Sequence, residues 1–259
     1  MEELKVFLLG IVQGLTEFLP VSSSGHIEIF KYFFNLNYFK NQGLLLTLVL
    51  HFATALSTIW VFKNQIIEIL KSKRSNRNNF FLKIFLSMIP SVIIGLFYED
   101  AINFLFNSNI ILVGTMLIIT SCLLYKTDKT ISTSKHISLR NAFLIGLIQA
   151  FAILPGISRS GATIALAVIL GISKNEAAKF SFLMVIPLIF GSMAKNILFN
   201  LQNQMFEFTP VLLLGFISAF LTGIIACRLM IKIVENSKLK YFGFYCLVLG
   251  LVMITYGII

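Results

Sequence analysis

Two stretches of this chain place reactive side chains where an apolar protein should have none. The first runs Gln13-Gly14-Leu15-Thr16-Glu17-Phe18-Leu19-Pro20-Val21-Ser22-Ser23-Ser24-Gly25-His26. A carboxylate, three consecutive hydroxyls, a glycine and an imidazole sit between the apolar residues 7–12 and 27–34. The second runs Gly146-Leu147-Ile148-Gln149, then Leu154-Pro155-Gly156-Ile157-Ser158-Arg159-Ser160-Gly161-Ala162-Thr163. With Gly10 laid on Gly146, Gln13 falls on Gln149, Ser22 on Ser158, Ser24 on Ser160 and Gly25 on Gly161. Only the prolines slip, by one position.

These residue types suit phosphate. Serine hydroxyls with glycine N–H groups at the start of a helix form a nest for anions, and a guanidinium adds planar, bidentate contact. Two opposed nests sharing Arg159 fit a diphosphate better than a small single anion. Glu17 can hold a divalent cation, Mg²⁺ or Ca²⁺, over phosphate oxygens, or act as a base. His26 can be nucleophile, general base or general acid near neutral pH. Ser23 is the alternative nucleophile, if Glu17 or His26 takes its proton. An ionised group at bilayer depth costs ~2.5–3.5 kcal/mol, so the plainest role for Glu17 and Arg159 is to neutralise each other. That role leaves the surplus of Ser22, Ser23, Ser24, His26, Ser158, Ser160 and Thr163 unexplained. Other polar residues are read more simply. His51 is a satisfied core histidine, His136 is solvated in a loop, Lys195 snorkels, and Glu28 is left out of the site.

The surroundings are those of a membrane protein. Of 259 residues, 57% are hydrophobic and 12% charged, and mean hydropathy is +0.89, which almost no soluble fold can hide. The net charge of +10 comes from lysines and arginines in short gaps between apolar runs. It is therefore read as a topology signal rather than as a nucleic-acid surface. Cys122, Cys227 and Cys246 lie in apolar segments and form neither a disulfide framework nor a metal-ligand spacing. The acidic start, residues 1–5, lacks a small-residue cleavage site, so no removable signal peptide is read.

Segment lengths then predict the architecture. Residues 5–20 rise only ~24 Å as a helix, at ~1.5 Å per residue, against a hydrocarbon core of ~30 Å. With 26–34 they form two short arms around a polar break, a re-entrant hairpin that must be walled by protein or water. Residues 141–155 and 163–172 form the second. Full spans are expected at 44–62, 80–98, 110–125, 180–199, 211–228 and 241–259. Basic gaps at 63–79, at Lys126, Lys129, Lys135 and Arg140, at Lys174 and Lys179, and from Arg228 to Lys240 are placed in the cytoplasm. The gaps around Glu99, Asp100 and Asn107, and from Asn200 to Pro210, lack Lys and Arg and are placed outside. The expectation is an all-α polytopic membrane protein in a single membrane domain of 259 residues. Each repeat, 1–126 and 141–259, has one hairpin and three crossings. An odd number of crossings inverts the second repeat, so both polar tips meet near the midplane.

The motifs at 13–26 and 155–163 resemble the two signatures of the undecaprenyl-diphosphate phosphatase family, the bacitracin-resistance proteins. Ala178-Lys179-Phe180-Ser181-Phe182-Leu183, ending at Pro187, is similar to that family's following segment. The resemblance runs along essentially the whole chain. It implies a divalent-cation-dependent enzyme of the bacterial cytoplasmic (inner) membrane, with its site open to the outer face. Such an enzyme removes the terminal phosphate of undecaprenyl diphosphate to regenerate the lipid carrier of cell-wall synthesis. By motif position Gln13 and Glu17 fill the family's acidic pair, and Ser23 and His26 its proposed nucleophile and acid/base. Arg159 fills the phosphate clamp, with Ser158, Ser160, Gly161 and Thr163 lining the second nest. Gln13 stands where many relatives carry Glu, Ala53 where they carry Gly, and Lys179 where they carry Arg. The expected partners are a prenyl diphosphate and membrane lipid, and a homodimer is among the arrangements the sequence allows. A transporter or flippase of polyprenyl phosphate, using the same midplane site, is the competing reading. It would not need Glu17, Ser23 and His26 together.

Overall fold

The computed structural model describes residues 2–34, 37–105, 109–128, 130, 136–202, 209–236 and 238–258, and among them there is no strand. The helices are α1 (Glu2–Phe18), α2 (Ser23–Phe34), α3 (Asn37–Lys71), α4 (Arg74–Phe97), α5 (Glu99–Leu105) and α6 (Ile110–Asp128). They continue as α7 (Leu139–Phe151), α8 (Arg159–Ile169), α9 (Lys174–Gln202), α10 (Pro210–Asn236) and α11 (Lys240–Ile258). Six of these, α3, α4, α6, α9, α10 and α11, contain stretches long and apolar enough to cross a membrane. The chain is a multi-pass membrane protein. Large apolar side chains stand exposed on the outer helices, among them Phe85, Ile93, Leu221, Ile225, Phe244 and Leu251, where lipid tails rather than water would cover them.

The expected spans are all present, but most extend beyond their predicted ends. The gap 63–79 is largely helix, because α3 runs on to Lys71 and α4 starts at Arg74. Gln65, Glu68, Leu70 and Lys71 are good helix formers, so loss of hydropathy does not end the helix there. Ser72 and Lys73 alone make the turn, closed by Ser72 N–H donating to Ile69 O at 3.3 Å. Lys174 and Lys179 likewise belong to the first turns of α9, and α5 occupies a gap read as loop. Asn107, Lys129, Lys135 and most of the gap after Asn200 lie outside the described residues.

Besides the seven-residue α5, four helices are too short to cross. At ~1.5 Å per residue, α1, α2, α7 and α8 rise roughly 16–26 Å, against a ~30 Å hydrocarbon core. The arms α1 and α2 pack on each other, as do α7 and α8. Lys5 donates from Nζ to Phe34 O at 3.0 Å, tying the start of α1 to the end of α2. Each first arm lies against a long helix of the other half of the chain, α1 against α10 and α7 against α4.

Glycine sets how close those helices come. A Cβ on Gly10 would stand 2.6 Å from Gly215 O, and one on Gly146 would stand 2.4 Å from Ser87 O. Backbone approach of this kind, which only small residues permit, is how apolar helices gain packing without a hydrophobic drive between them. The same device joins α6 to α11, where Gly114 and Gly250 each face the other's carbonyl.

Candidate active site

Both polar breaks are helix N-termini built on one plan. Ser22 precedes α2 and Ser158 precedes α8. Each side chain accepts from the backbone three residues on, Gly25 N at 3.2 Å and Gly161 N at 3.0 Å. These caps satisfy N–H groups that would otherwise be orphaned at depth. Ser22 holds φ at +71°, and Gly156 adopts +100° in the second break. At Gly156 a Cβ would also meet Val113 O at 2.5 Å, so glycine is required twice over.

The two tips pack directly against each other. Ser22 Oγ donates to Ile157 O at 3.3 Å, and Ser160 Oγ donates to Leu19 O at 3.3 Å. Gly25 and Gly161 let the tips close, since a Cβ on either would lie 3.0–3.1 Å from Gly156 or Pro20 of the other break. Ser22, Gly25, Ser158, Ser160 and Gly161 are all buried. The hydroxyls assigned by sequence to an anion nest are thus taken up by caps and by the joint between tips. Thr163, also buried, donates to Arg159 O at 2.7 Å and lies 2.6 Å from Ser181 Oγ.

Beside that joint opens a cavity of about 240 Å³, walled in part by Glu17, Ser23, Ser24, His51, Ile153 and Arg159. Glu17 is its focus. The Arg159 guanidinium donates to Glu17 Oε1. Glu17 Oε2 accepts from Ser23 Oγ at 2.7 Å and from Gln13 Nε2 at 3.0 Å. Arg159 also reaches Ser181 O at 3.4 Å. Glu17 from the first motif and Arg159 from the second therefore meet, 142 residues apart in sequence.

His26 does not share this cavity. Ser23, Ser24, Ile27 and Glu28 line it from one face of α2, and at about 100° per residue His26 points away from that face. Its Nδ1 lies 2.7 Å from Ser22 O and its Nε2 2.8 Å from the Tyr245 hydroxyl, against which the ring stacks. A carbonyl only accepts, so Nδ1 carries the proton and Nε2 accepts from Tyr245.

His51 stands in its place. Nδ1 donates to Thr47 O at 2.8 Å, which leaves Nε2 facing the cavity, 3.7 Å from Glu17 Oε2. The sequence reading placed His51 in the core because it sits alone in an apolar span.

Whether these residues suit a divalent cation can be tested on the oxygens present. Gln13 is fully buried and its Oε1 has no hydrogen-bond partner. That oxygen, the Glu17 carboxylate and the Ser23 hydroxyl make an all-oxygen donor set of the kind hard cations take. Gln149 Oε1 is equally unpartnered, but Ile153 stands one turn on, so the second copy has no carboxylate. Among the described residues there is no group of three or more His, Cys, Asp or Glu placed to hold a metal ion.

Comparison with known proteins decides the family. Residues 6–252 match the family described as Bacitracin resistance protein BacA. The chain belongs to that family. A relative from Christiangramia forsetii is 51% identical over 262 residues, covering 99% of both chains. One from Methanococcus vannielii is 44% identical over 255 residues, covering 96% of this chain and 98% of its own. A third, from Bacteroides fragilis, is 40% identical over 267 residues and covers 98% of each. All three carry the name undecaprenyl-diphosphatase. Family membership bears out the resemblance read from the two motifs, over nearly the whole chain.

Proposed function

We infer that this chain is an undecaprenyl-diphosphatase. It hydrolyses undecaprenyl diphosphate to undecaprenyl phosphate and phosphate, recycling the cell-wall lipid carrier and conferring bacitracin resistance. One observation carries the chemistry: Ser23 donates to Glu17, and Glu17 pairs with Arg159, in one cavity among membrane helices.

In the reaction we propose, Ser23 Oγ attacks the terminal phosphorus. The Oγ–P bond forms, the bond from phosphorus to the bridging oxygen breaks, and undecaprenyl phosphate leaves. Glu17 takes the Ser23 proton along the existing 2.7 Å hydrogen bond. Arg159 exchanges part of its contact with Glu17 for the transferring phosphoryl oxygens, meeting charge as it develops. Water then attacks phosphoserine, its oxygen bonding to phosphorus as the Oγ–P bond breaks; His51, with Nε2 facing the cavity, takes the water's proton, and Glu17 returns its own to Ser23 Oγ. Gln13 and Glu17 are the residues that would hold a divalent cation, which when bound supplies charge neutralisation over phosphate oxygens. His26 has the lesser role of fixing the α2 tip against α11.

The cavity is assigned to the outer face of the cytoplasmic membrane. Supporting this, the α3–α4 joint with Lys71, Lys73, Arg74 and Arg77 lies at the end of α3 remote from the α2 connection. Basic residues mark the cytoplasmic side. The exchange of partners, α1 with α10 and α7 with α4, supports two inverted repeats, each with a re-entrant hairpin.

The test is phosphate release from a prenyl diphosphate by the purified protein in detergent, with Mg²⁺ or Ca²⁺ supplied. Release that disappears in Glu17→Gln supports the enzyme. No release with either cation, together with substrate movement in vesicles, would replace it with a transporter.

A further inference from the structure

The cavity contains a second ion pair that the proposed chemistry does not use. Two turns along α2 from Ser23, Lys31 Nζ lies 2.6 Å from Glu28 Oε1, and both residues line the same cavity as Glu17 and Arg159. The Glu28 side chain is 1% exposed and that of Lys31 20%. Ser23, Ser24, Ile27, Glu28 and Lys31 make one continuous stripe on α2. From sequence alone Glu28 is left out of the site.

Stability does not account for this pair. A desolvated ion pair gains little over well-packed apolar residues of similar size, and its neighbours Ile27 and Phe30 are themselves buried and apolar. Position points elsewhere. Helix side chains lean toward the N-terminus, and the bond to Glu28 holds Nζ near the level of that residue. At ~1.5 Å per residue, this is roughly 7–8 Å beyond Ser23 along the axis. A diphosphate spans such a gap when it accepts hydrogen bonds at both ends.

Resting on the phosphatase reading, we propose that Lys31, oriented by Glu28, binds the phosphoryl group that carries the prenyl ester, while Ser23 and Arg159 engage the terminal one. Attack at Ser23 requires the terminal phosphorus there, and the ester phosphoryl then points along the α2 stripe toward the ammonium. When the bridging bond breaks, the leaving oxygen's charge develops on the group Lys31 holds. Glu28, through its 2.6 Å contact, orients the ammonium.

The experiment measures equilibrium binding of farnesyl phosphate, which carries only the ester phosphoryl, beside KM and kcat for farnesyl diphosphate, all in detergent. Lys31→Met should raise the farnesyl phosphate Kd and the diphosphate KM together, by about tenfold, as expected for one charge-assisted contact. Lys31→Arg should hold both within about threefold of wild type, since the charge is kept. Lys31→Met removes the ammonium beside the buried Glu28 carboxylate, so Glu28→Gln/Lys31→Met is measured alongside with the same expected tenfold loss. An unchanged farnesyl phosphate Kd in the folded double variant would overturn the assignment. Wild type that binds farnesyl phosphate through Lys31 but releases no phosphate would refute the phosphatase reading and leave this contact standing.

Discussion

Ser23 and Arg159 hold the same position in the two motifs, one residue after a capping serine, yet one is a small hydroxyl and the other a long cation. Both ends of the reaction are met because they differ. Replacing the guanidinium by an ammonium loses the fork that contacts two oxygens at once. Arg159→Lys should therefore cut kcat by about 10²-fold or more, read as phosphate release. Near-normal turnover would rule out a bidentate clamp. The two histidines separate by geometry. His51→Ala, removing the imidazole that faces Glu17, should lower kcat by roughly 10²-fold, a usual loss for a general base. His26→Ala should stay within about tenfold, because its ring contacts Tyr245 instead. The reverse ranking in the same assay would return the catalytic role to His26. Trapping phosphoserine at Ser23 by acid quench would identify the attacking atom; a phosphohistidine would refute Ser23.

At the scale of helices, the site depends on how tightly the short arms seat. Gly146 meets the Ser87 backbone, which cannot move aside as a side chain could. Gly146→Val should destabilise the fold by about 3 kcal/mol through overpacking, seen as a lower detergent melting temperature. Gly95 and Gly191, with nothing within 4 Å of an added Cβ, should accept alanine without loss. These arms also show what a sequence reveals and what it hides. The breaks were legible because Pro, Gly and serine runs cannot continue a helix in an apolar chain. The start of α2 was placed three residues late, since a hydroxyl cap looks the same in sequence whether it sits in a loop or at a helix N-terminus. The joint between tips was not legible at all. Ser22 and Ser158 have the composition of an anion nest, and only their distances show the hydroxyls already engaged. The place of His51 beside Glu17 is hidden for a related reason, since the two are far apart in sequence.

Across the whole molecule, six of the described helices are long enough to span and five are shorter, and Lys71, Lys73, Arg74 and Arg77 cluster where α3 meets α4. Hydropathy made the six spans readable, whereas the α3–α4 joint shows that it misjudges where a helix stops. Sidedness can be tested directly in the three-cysteine-to-serine background. Thr47→Cys, in the cavity wall, should react with a membrane-impermeant maleimide in intact cells. His136→Cys, beside α7 at the basic end, should react only after permeabilisation. The opposite pattern would put the cavity in the cytoplasm.

Each tip is closed by the other half's carbonyl, through the Ser22 bond to Ile157 and the Ser160 bond to Leu19. Two identical first halves closed tip to tip would set Glu17 across from a second Ser23, leaving the carboxylate with no counterion from the opposing tip. Two identical second halves would leave Arg159 facing Ile153. Neither fragment, expressed by itself or paired with its own copy, can form a neutral reaction centre. Only the unlike partners together would recover turnover in a split-gene complementation experiment.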